Sequence, residues 1–433
     1  MKMDIQMRWL VCSSLVFLAC GLLSQTLAAQ STQGSPQGTV LTLEDLIREA
    51  EQNNPDLRAA TEELRAARRR VPPAGALPDP VISFGQMNVG NVVPFTTLGE
   101  EGFSEIYVGV SQEFPFLGKR GLRENVVQKE ADAEFWSYEF TRLRVLADLK
   151  VAYYDLFYHH RTLDTLRKDM RLLETFEETA GALYRVGEAS QADVLRAQTE
   201  VSLLQNQIEV AEQRKGVAEA RINTLLNRPA DIPLPSPAPF EKAVLGHSLE
   251  ELRELALDRF PLLRRQGETV QARQYELQLA EKEKYPDFGV MFAYHNRGGL
   301  RDYWTIGGTA RIPLYFNRKE KYEIEEAGAR LAASRERYDS VRTSLQFSLK
   351  DYYLEAVTAE RLLRLFEETI IPQETLTLEA TSASYQVGEV DFLSIIDSLL
   401  KLVNDEIRYY EYLTNFQKAL ARLEPIVGVE LTR

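Results

Sequence analysis

Beyond its first twenty-odd residues this chain has little that covalent or metal chemistry could use. Its two cysteines, Cys12 and Cys20, both lie at the N-terminus, so the rest carries neither thiols nor disulfides. The four histidines, His159, His160, His247 and His295, show no metal-ligand spacing. No Gly-x-Ser-x-Gly elbow occurs, and Gly118-Lys119 lacks the upstream glycine of a phosphate loop. With 64 acidic against 51 basic residues and a net charge of −13, there is no basic face for nucleic acid. Carboxylate pairs arise by chance in so acidic a chain. These absences exclude the usual enzyme classes and imply no catalytic residue, no cofactor, no metal site and no nucleic-acid partner. After residue 23 no apolar run reaches the roughly 18 residues of a membrane helix.

The N-terminus itself reads as an export signal. Lys2 and Arg8 precede the apolar run 9–23, and SQTLAAQ follows, which gives a signal peptide over 1–28 cut after Ala28. Leu18-Ala19-Cys20-Gly21 supplies a second reading, a lipoprotein box with Cys20 acylated, although Phe17 stands where Leu is usual. Either way the chain leaves the cytoplasm.

What the chain does have, it has twice. ALYRVGEASQADVLRAQTE (182–200) returns as ASYQVGEVDFLSIIDSLLK (383–401), so Tyr184, Val186, Gly187 and Glu188 match Tyr385, Val387, Gly388 and Glu389. Each copy lies between heptad-patterned segments, where Gly stops a helix and turns the chain left-handed. The same duplication relates 43–60 to 249–266, Pro78-Asp79 to Pro286-Asp287, and Phe114–Leu117 before Gly118-Lys119-Arg120 to Ile312–Tyr315 before Asn317-Arg318-Lys319. A Pro-rich joint at 227–240 separates the halves. The domains are therefore 29–236 and 237–433, each reading helix, two strands, long helix, tip, long helix.

In chain order, apolar spacing predicts a helix over 41–71 with Thr42 as N-cap, ended by Pro72-Pro73. The period then changes, and strands are expected over 81–90, 104–114, 287–296 and 302–312. Each has the length that crosses an outer membrane when tilted. Four strands cannot close a barrel, which needs about eight, and an open sheet edge cannot face lipid. If these strands span, several copies must pool them; a small periplasmic sheet beside a helical bundle is the other reading. From Arg120 to Tyr184 there is no Pro, and Gly only at the ends, which predicts a helix of roughly 95 Å. Seven-residue seams continue through Val194–Leu225, Ile324–Phe366 and Ile396–Leu413, with a kink expected at Pro372.

The duplicated strand pair and hairpin, the QEFPFLGKR run and both Tyr-x-Val-Gly-Glu tips resemble the TolC family of bacterial outer-membrane efflux channels. That resemblance covers nearly the whole chain after the signal. It implies an α+β, mainly α fold: a homotrimer pooling four strands per protomer into a 12-stranded outer-membrane β-barrel, above a periplasmic α-barrel closed at the tips. It further implies a periplasmic adaptor protein and an inner-membrane pump, the RND type among them, with outer-membrane lipid around the barrel. The adaptor-contact tips would be Arg185, Val186, Gly187, Glu188, Gln386, Val387, Gly388 and Glu389. Asp193, six residues after the first tip glycine, and Tyr385 correspond to residues that latch neighbouring hairpins in the closed state. Of the two pore-narrowing acids of the family, one position is Ser394 and the other Asp397, while Val390 replaces a latch arginine, so a single carboxylate ring would remain. The FLGKR run also resembles relatives serving heavy-metal export pumps. The competing expectation is a periplasmic coiled-coil scaffold or interaction protein that never enters a membrane.

Overall fold

The computed structural model of the chain describes residues 40–432; Cys20 and the signal segment lie outside them. Two helices open it, α1 (Leu43–Asn53) and α2 (Pro55–Gly75), followed by β1 (Val81–Met87) and β2 (Glu105–Phe114). The long α3 (Lys119–Val186) and α4 (Gln191–Leu225) form the first hairpin. The same order then recurs: α5 (Leu249–Arg259), α6 (Pro261–Lys282), β3 (Asp287–Asn296), β4 (Tyr303–Arg311), α7 (Glu320–Leu365), a π-turn (Phe366–Ile370), α8 (Ile371–Gln386) and α9 (Phe392–Val427).

Three expectations need correction. The helix expected over 41–71 is two helices, broken where Asn54 leaves helical geometry ahead of Pro55. Asn54 caps the new helix by accepting from Leu57 N–H at 3.1 Å and donates to Leu225 O at 2.8 Å. Second, Pro72-Pro73 do not end α2, which runs on to Gly75. The two missing N–H groups fall on an exposed face, where water can satisfy the freed carbonyls, and the Arg120 guanidinium holds Gly75 O at 2.9 and 2.7 Å. Third, β1 stops at Met87, short of residue 90. The irregularity near Pro372 precedes it: Ile371 N–H reaches back to Phe366 O, and this wide turn makes room for the proline ring.

α3 has 68 residues, roughly 100 Å of helix. The seam positions form its packing, with Leu163, Leu166 and Leu173 of α3, Ala197, Leu204 and Ile208 of α4, and Phe392, Ile396 and Leu399 of α9 in one buried cluster. Higher up, α5, α6, α7 and α9 share a second cluster around Leu252, Leu349 and Phe416. The Pro-rich joint is ordered against this bundle: Ala238 N–H donates to Leu41 O at 2.8 Å, and the Tyr153 hydroxyl donates to Ala238 O at 3.1 Å. Among the described residues no helix is long and apolar enough to cross a membrane.

One position in this packing is under electrostatic stress. Asp169 of α3 is 3% exposed and its Oδ2 has no hydrogen-bond partner. Burial pushes its carboxyl up from 3.8 to about 6, with Lys168 and Glu406 acting in opposite directions. The folded state thus holds the proton to higher pH than the unfolded chain, so stability falls as pH rises from about 4 to about 6. Asp169→Asn should therefore raise stability at pH 7.5 by about 2–3 kcal/mol, a gain that falls to about half at pH 5 and is largely gone at pH 4. Melting followed by far-UV dichroism at the three pH values checks this; equal shifts at all three would refute it.

Candidate functional site

Both hairpin tips are built by the same backbone device. Gly187 ends α3 at φ 82 and Gly388 follows α8 at φ 78, left-handed values that glycine adopts without strain. At the first tip Gly187 N–H donates to Tyr184 O at 3.1 Å and Glu188 N–H to Leu183 O at 2.9 Å. At the second, Gly388 N–H donates to Tyr385 O at 3.0 Å and Glu389 N–H to Ser384 O at 2.9 Å. The repeated turn leaves Val186 and Val387 each 70% exposed. Arg185, Glu188 and Glu389 are exposed beside them, and Gln386 is the last residue of α8.

The return helices start with one chemical pair written in opposite orders. α4 begins with a capping box: Asp193 N–H donates to Ser190 Oγ at 3.2 Å, while Asp193 Oδ2 accepts from Ser190 N–H at 3.0 Å and Ser190 Oγ–H at 2.8 Å. At the matching positions of α9, Asp391 is the cap and Ser394 its partner, donating through N–H at 3.0 Å and Oγ–H at 2.6 Å. Those two donors hold the exposed Asp391 carboxyl below the usual carboxylate range. Ser-x-x-Asp is a legible capping signal, and sequence reasoning passed over it. It accounts for Ser394, which stands where an acid was anticipated because it completes the cap.

Asp193 and Tyr385 come from different hairpins and lie near each other. Burial raises the Tyr385 phenol, and the Asp193 carboxylate adds to the shift. No hydrogen bond joins the two: Asp193 is engaged by Ser190, and the Tyr385 ring rests on Phe392 with centroids 5.7 Å apart. Asp397 is exposed on α9, one turn beyond Ser394. Val390 is half-buried at the tip. Among the described residues no three His, Cys, Asp or Glu side chains cluster as metal ligands would.

At the other end, the strands form one antiparallel sheet in the order β1-β2-β3-β4. Its register sorts the side chains cleanly. Val108 faces Phe84 and Tyr294, Val110 faces Ile82 and Phe292, and Phe292 faces Ile306. These residues share one face, where Phe84 is 85% exposed and Ile306 67%. The opposite face carries Ser83, Gly109, Thr305 and Thr309, plus a linked polar group. There His295 Nδ1 lies 2.8 Å from Glu105 Oε1, Tyr303 OH donates to Glu105 Oε2 at 2.6 Å, and the His295 and Tyr303 rings stack at 4.5 Å. Apolar outside, small and polar inside, with each strand sampling both, is the pattern of a spanning barrel wall.

The fold and this wall define an outer-membrane channel protein. The chain belongs to the outer membrane efflux protein family, which matches residues 46–228 and 252–429; it is accordingly an efflux channel subunit of the outer membrane, with its helices in the periplasm. It is 22% identical over 402 residues to nodulation protein T of Rhizobium leguminosarum bv. trifolii, covering 87% of this chain and 83% of that one. Its fold is similar to the outer membrane protein VceC of Vibrio cholerae, at TM-score 0.76 and 16% identity, covering 90% and 96% of the two chains. It is also similar to the MtrE outer membrane channel of Neisseria gonorrhoeae in its open state, at TM-score 0.74 and 18% identity, covering 90% of each.

The reciprocal caps carry a direct test. Asp193→Ala should cost about 1 kcal/mol and fray the first turn of α4. Ser190→Asp combined with Asp193→Ser, which copies the second tip, should restore protection. Hydrogen exchange of the backbone over 190–196 measures both, and equal exchange in the single and double variants would contradict the cap reading.

Proposed function

We propose that three copies close one 12-stranded barrel and continue it as a periplasmic tunnel ending at the tips, forming a passive conduit for efflux or secretion. The observation that carries this is the open sheet: β1 and β4 are outer strands with unpaired edges, yet the face they share is apolar. In lipid such edges are untenable, and pooling strands between copies removes them. The helices support the same assembly. Leu203, Val210 and Val217 lie a heptad apart on α4 and are exposed, as are Phe347, Leu354, Leu365 and Leu376 along α7 and α8. Two unpartnered stripes on the outer helices of the two hairpins suit ring closure between copies. Detergent-extracted protein should have the native mass of an elongated trimer; a soluble monomer needing no detergent would overturn this reading and favour a scaffold.

At the far end, the paired tips with their equally exposed valines suit docking to a periplasmic adaptor, which in turn engages an inner-membrane pump, the RND type among the candidates. Residues 185–188 and 386–389 are the proposed contact. Tyr385 and Asp193 hold the two hairpins at rest through their proximity, and partner contact releases them. Asp397, exposed on α9 with Ser394 committed to its cap, is the remaining acid of the narrow pore, where a carboxylate ring favours cations. In planar bilayers Asp397→Ala should lower the cation-over-anion permeability ratio several-fold while leaving the trimer intact. An unchanged ratio would place Asp397 outside the constriction. The two domains, 29–236 and 237–433, are read as products of one duplication, with residues 1–28 as an export signal.

A further inference from the structure

The duplication places one junction in two different situations. At the end of β2 the chain turns and starts α3 at Lys119, which is 1% exposed. The Lys119 Nζ donates to Asp287 Oδ1 at 2.9 Å, Glu283 Oε2 at 2.8 Å and Tyr285 O at 3.0 Å. Phe116 N–H also donates to Asp287 Oδ1, at 2.8 Å. Asp287 follows Pro286 at the start of β3, the strand that pairs with β2. The first junction is thus complete within one chain.

The second copy of the junction is divided. Its acid is Asp79, which follows Pro78 ahead of β1, and its cation is Arg318, which follows β4 and matches Lys119. Since β1 and β4 are the two outer strands, these residues sit at opposite edges of the sheet. Both side chains are exposed. Neither makes an ion pair or side-chain hydrogen bond among the described residues, whereas the adjacent Lys319 lies within 3.9 Å of Glu323.

We infer that Asp79 accepts an ion pair from Arg318 of the partner subunit, reproducing between copies the contact that Lys119 and Asp287 make within one. This rests on the ring assembly proposed above. Side-chain parity supports it. By the repeat, Ile82 and Phe84 of β1 stand for Val290 and Phe292 of β3, and Trp304 and Ile306 of β4 stand for Ile106 and Val108 of β2. All eight lie on the apolar face. Pairing β4 of one copy with β1 of the next in the β2–β3 register therefore keeps that face continuous, while a one-residue slip would invert it. The same register sets Phe84 against Gly308 of the partner subunit, as Phe292 is set against Val110, and the missing side chain leaves room for the ring. The change of cation fits too. Lys119 meets two carboxylates, but Gly75 stands where the repeat has Glu283. A single carboxylate is better matched by the two-pronged guanidinium.

The test uses the full-length protein in membranes. Asp79→Cys with Arg318→Cys, treated with a short bis-maleimide, should give dimer and trimer bands on denaturing gels. Either cysteine alone should give only background. In parallel, Asp79→Arg or Arg318→Asp should lower the temperature at which the detergent-resistant trimer dissociates, and the double reversal should recover it. A wild-type trimer whose double-cysteine variant stays uncrosslinked would overturn the pairing and leave the ring standing. A wild-type monomer would remove the ring and the pairing together.

Discussion

The cation that organises this molecule is Lys119. A buried ammonium is costly to hold unless its donors are met, and here two carboxylates and a carbonyl meet them. All three acceptors come from the second half of the chain, more than 160 residues away. The contact therefore fixes the point where four strands become long helices and binds the two halves into one wall. Its surroundings are shaped for it. Phe116 stacks on Tyr285 at 4.6 Å, and Gly118 turns at φ 89 beside Lys282, where an added Cβ would lie 2.8 Å from the Lys282 ammonium. Glycine is favoured there by conformation, since the near atom is the mobile end of a lysine that can move aside.

From that joint downward, the constraint is length. A helix as long as α3 cannot be held by propensity, so its apolar seam must find neighbours along its whole course. α2, α4, α6 and α9 supply them within the chain, and ion pairs mark the register between α3 and α9: Lys150 with Glu424 at 2.7 Å, Asp155 with Lys418 at 2.9 Å and Lys168 with Glu406 at 3.1 Å. Glu424 also accepts from the backbone N–H groups of Leu431 and Thr432, so the end of the chain is tied to the same register. α8 differs. Among its described side chains it buries none, and it is joined to α7 through the π-turn, while Glu374 reaches Lys401 of α9 at 2.6 Å. Near the second tip the packing is therefore carried by α9, where Phe392, Ile395, Ile396 and Leu399 are buried.

Much of this was legible in the sequence because the strongest signals are periodic or doubled. The seams, the strand segments and the paired tips follow from spacing alone, and Tyr184–Glu188 and Tyr385–Glu389 do adopt one turn. What escaped depends on partners distant in sequence or on local compensation. Lys119 looked like part of a family-like run, since nothing nearby announces Glu283 and Asp287. Pro72-Pro73 looked like a stop, but Arg120 grips the carbonyl at the helix end. The resemblance points to Asp193 as a latch, but its nearer partner is Ser190, three residues away. The sheet's two faces were implied by alternation, but which residues share a face depends on register, and register is set by pairing.

That nearer partner bears on how charge is distributed at the tips. Capping is local and is required in every conformation that keeps the return helix. At the first tip it occupies the Asp193 carboxylate, so any coupling to Tyr385 acts through proximity and charge rather than a shared hydrogen bond. At the second tip the order is reversed: the acid moves to Asp391, at the helix start, and the hydroxyl to Ser394, within the first turn. Either order caps the start of a return helix, but the two distribute charge differently. The reversal places one negative charge at the turn itself, where Ser394 holds it ionised, and leaves Asp397 as the acid in the following turn. A change that keeps the cap thereby redistributes charge along the tip, which is how one fold can be tuned without altering its packing.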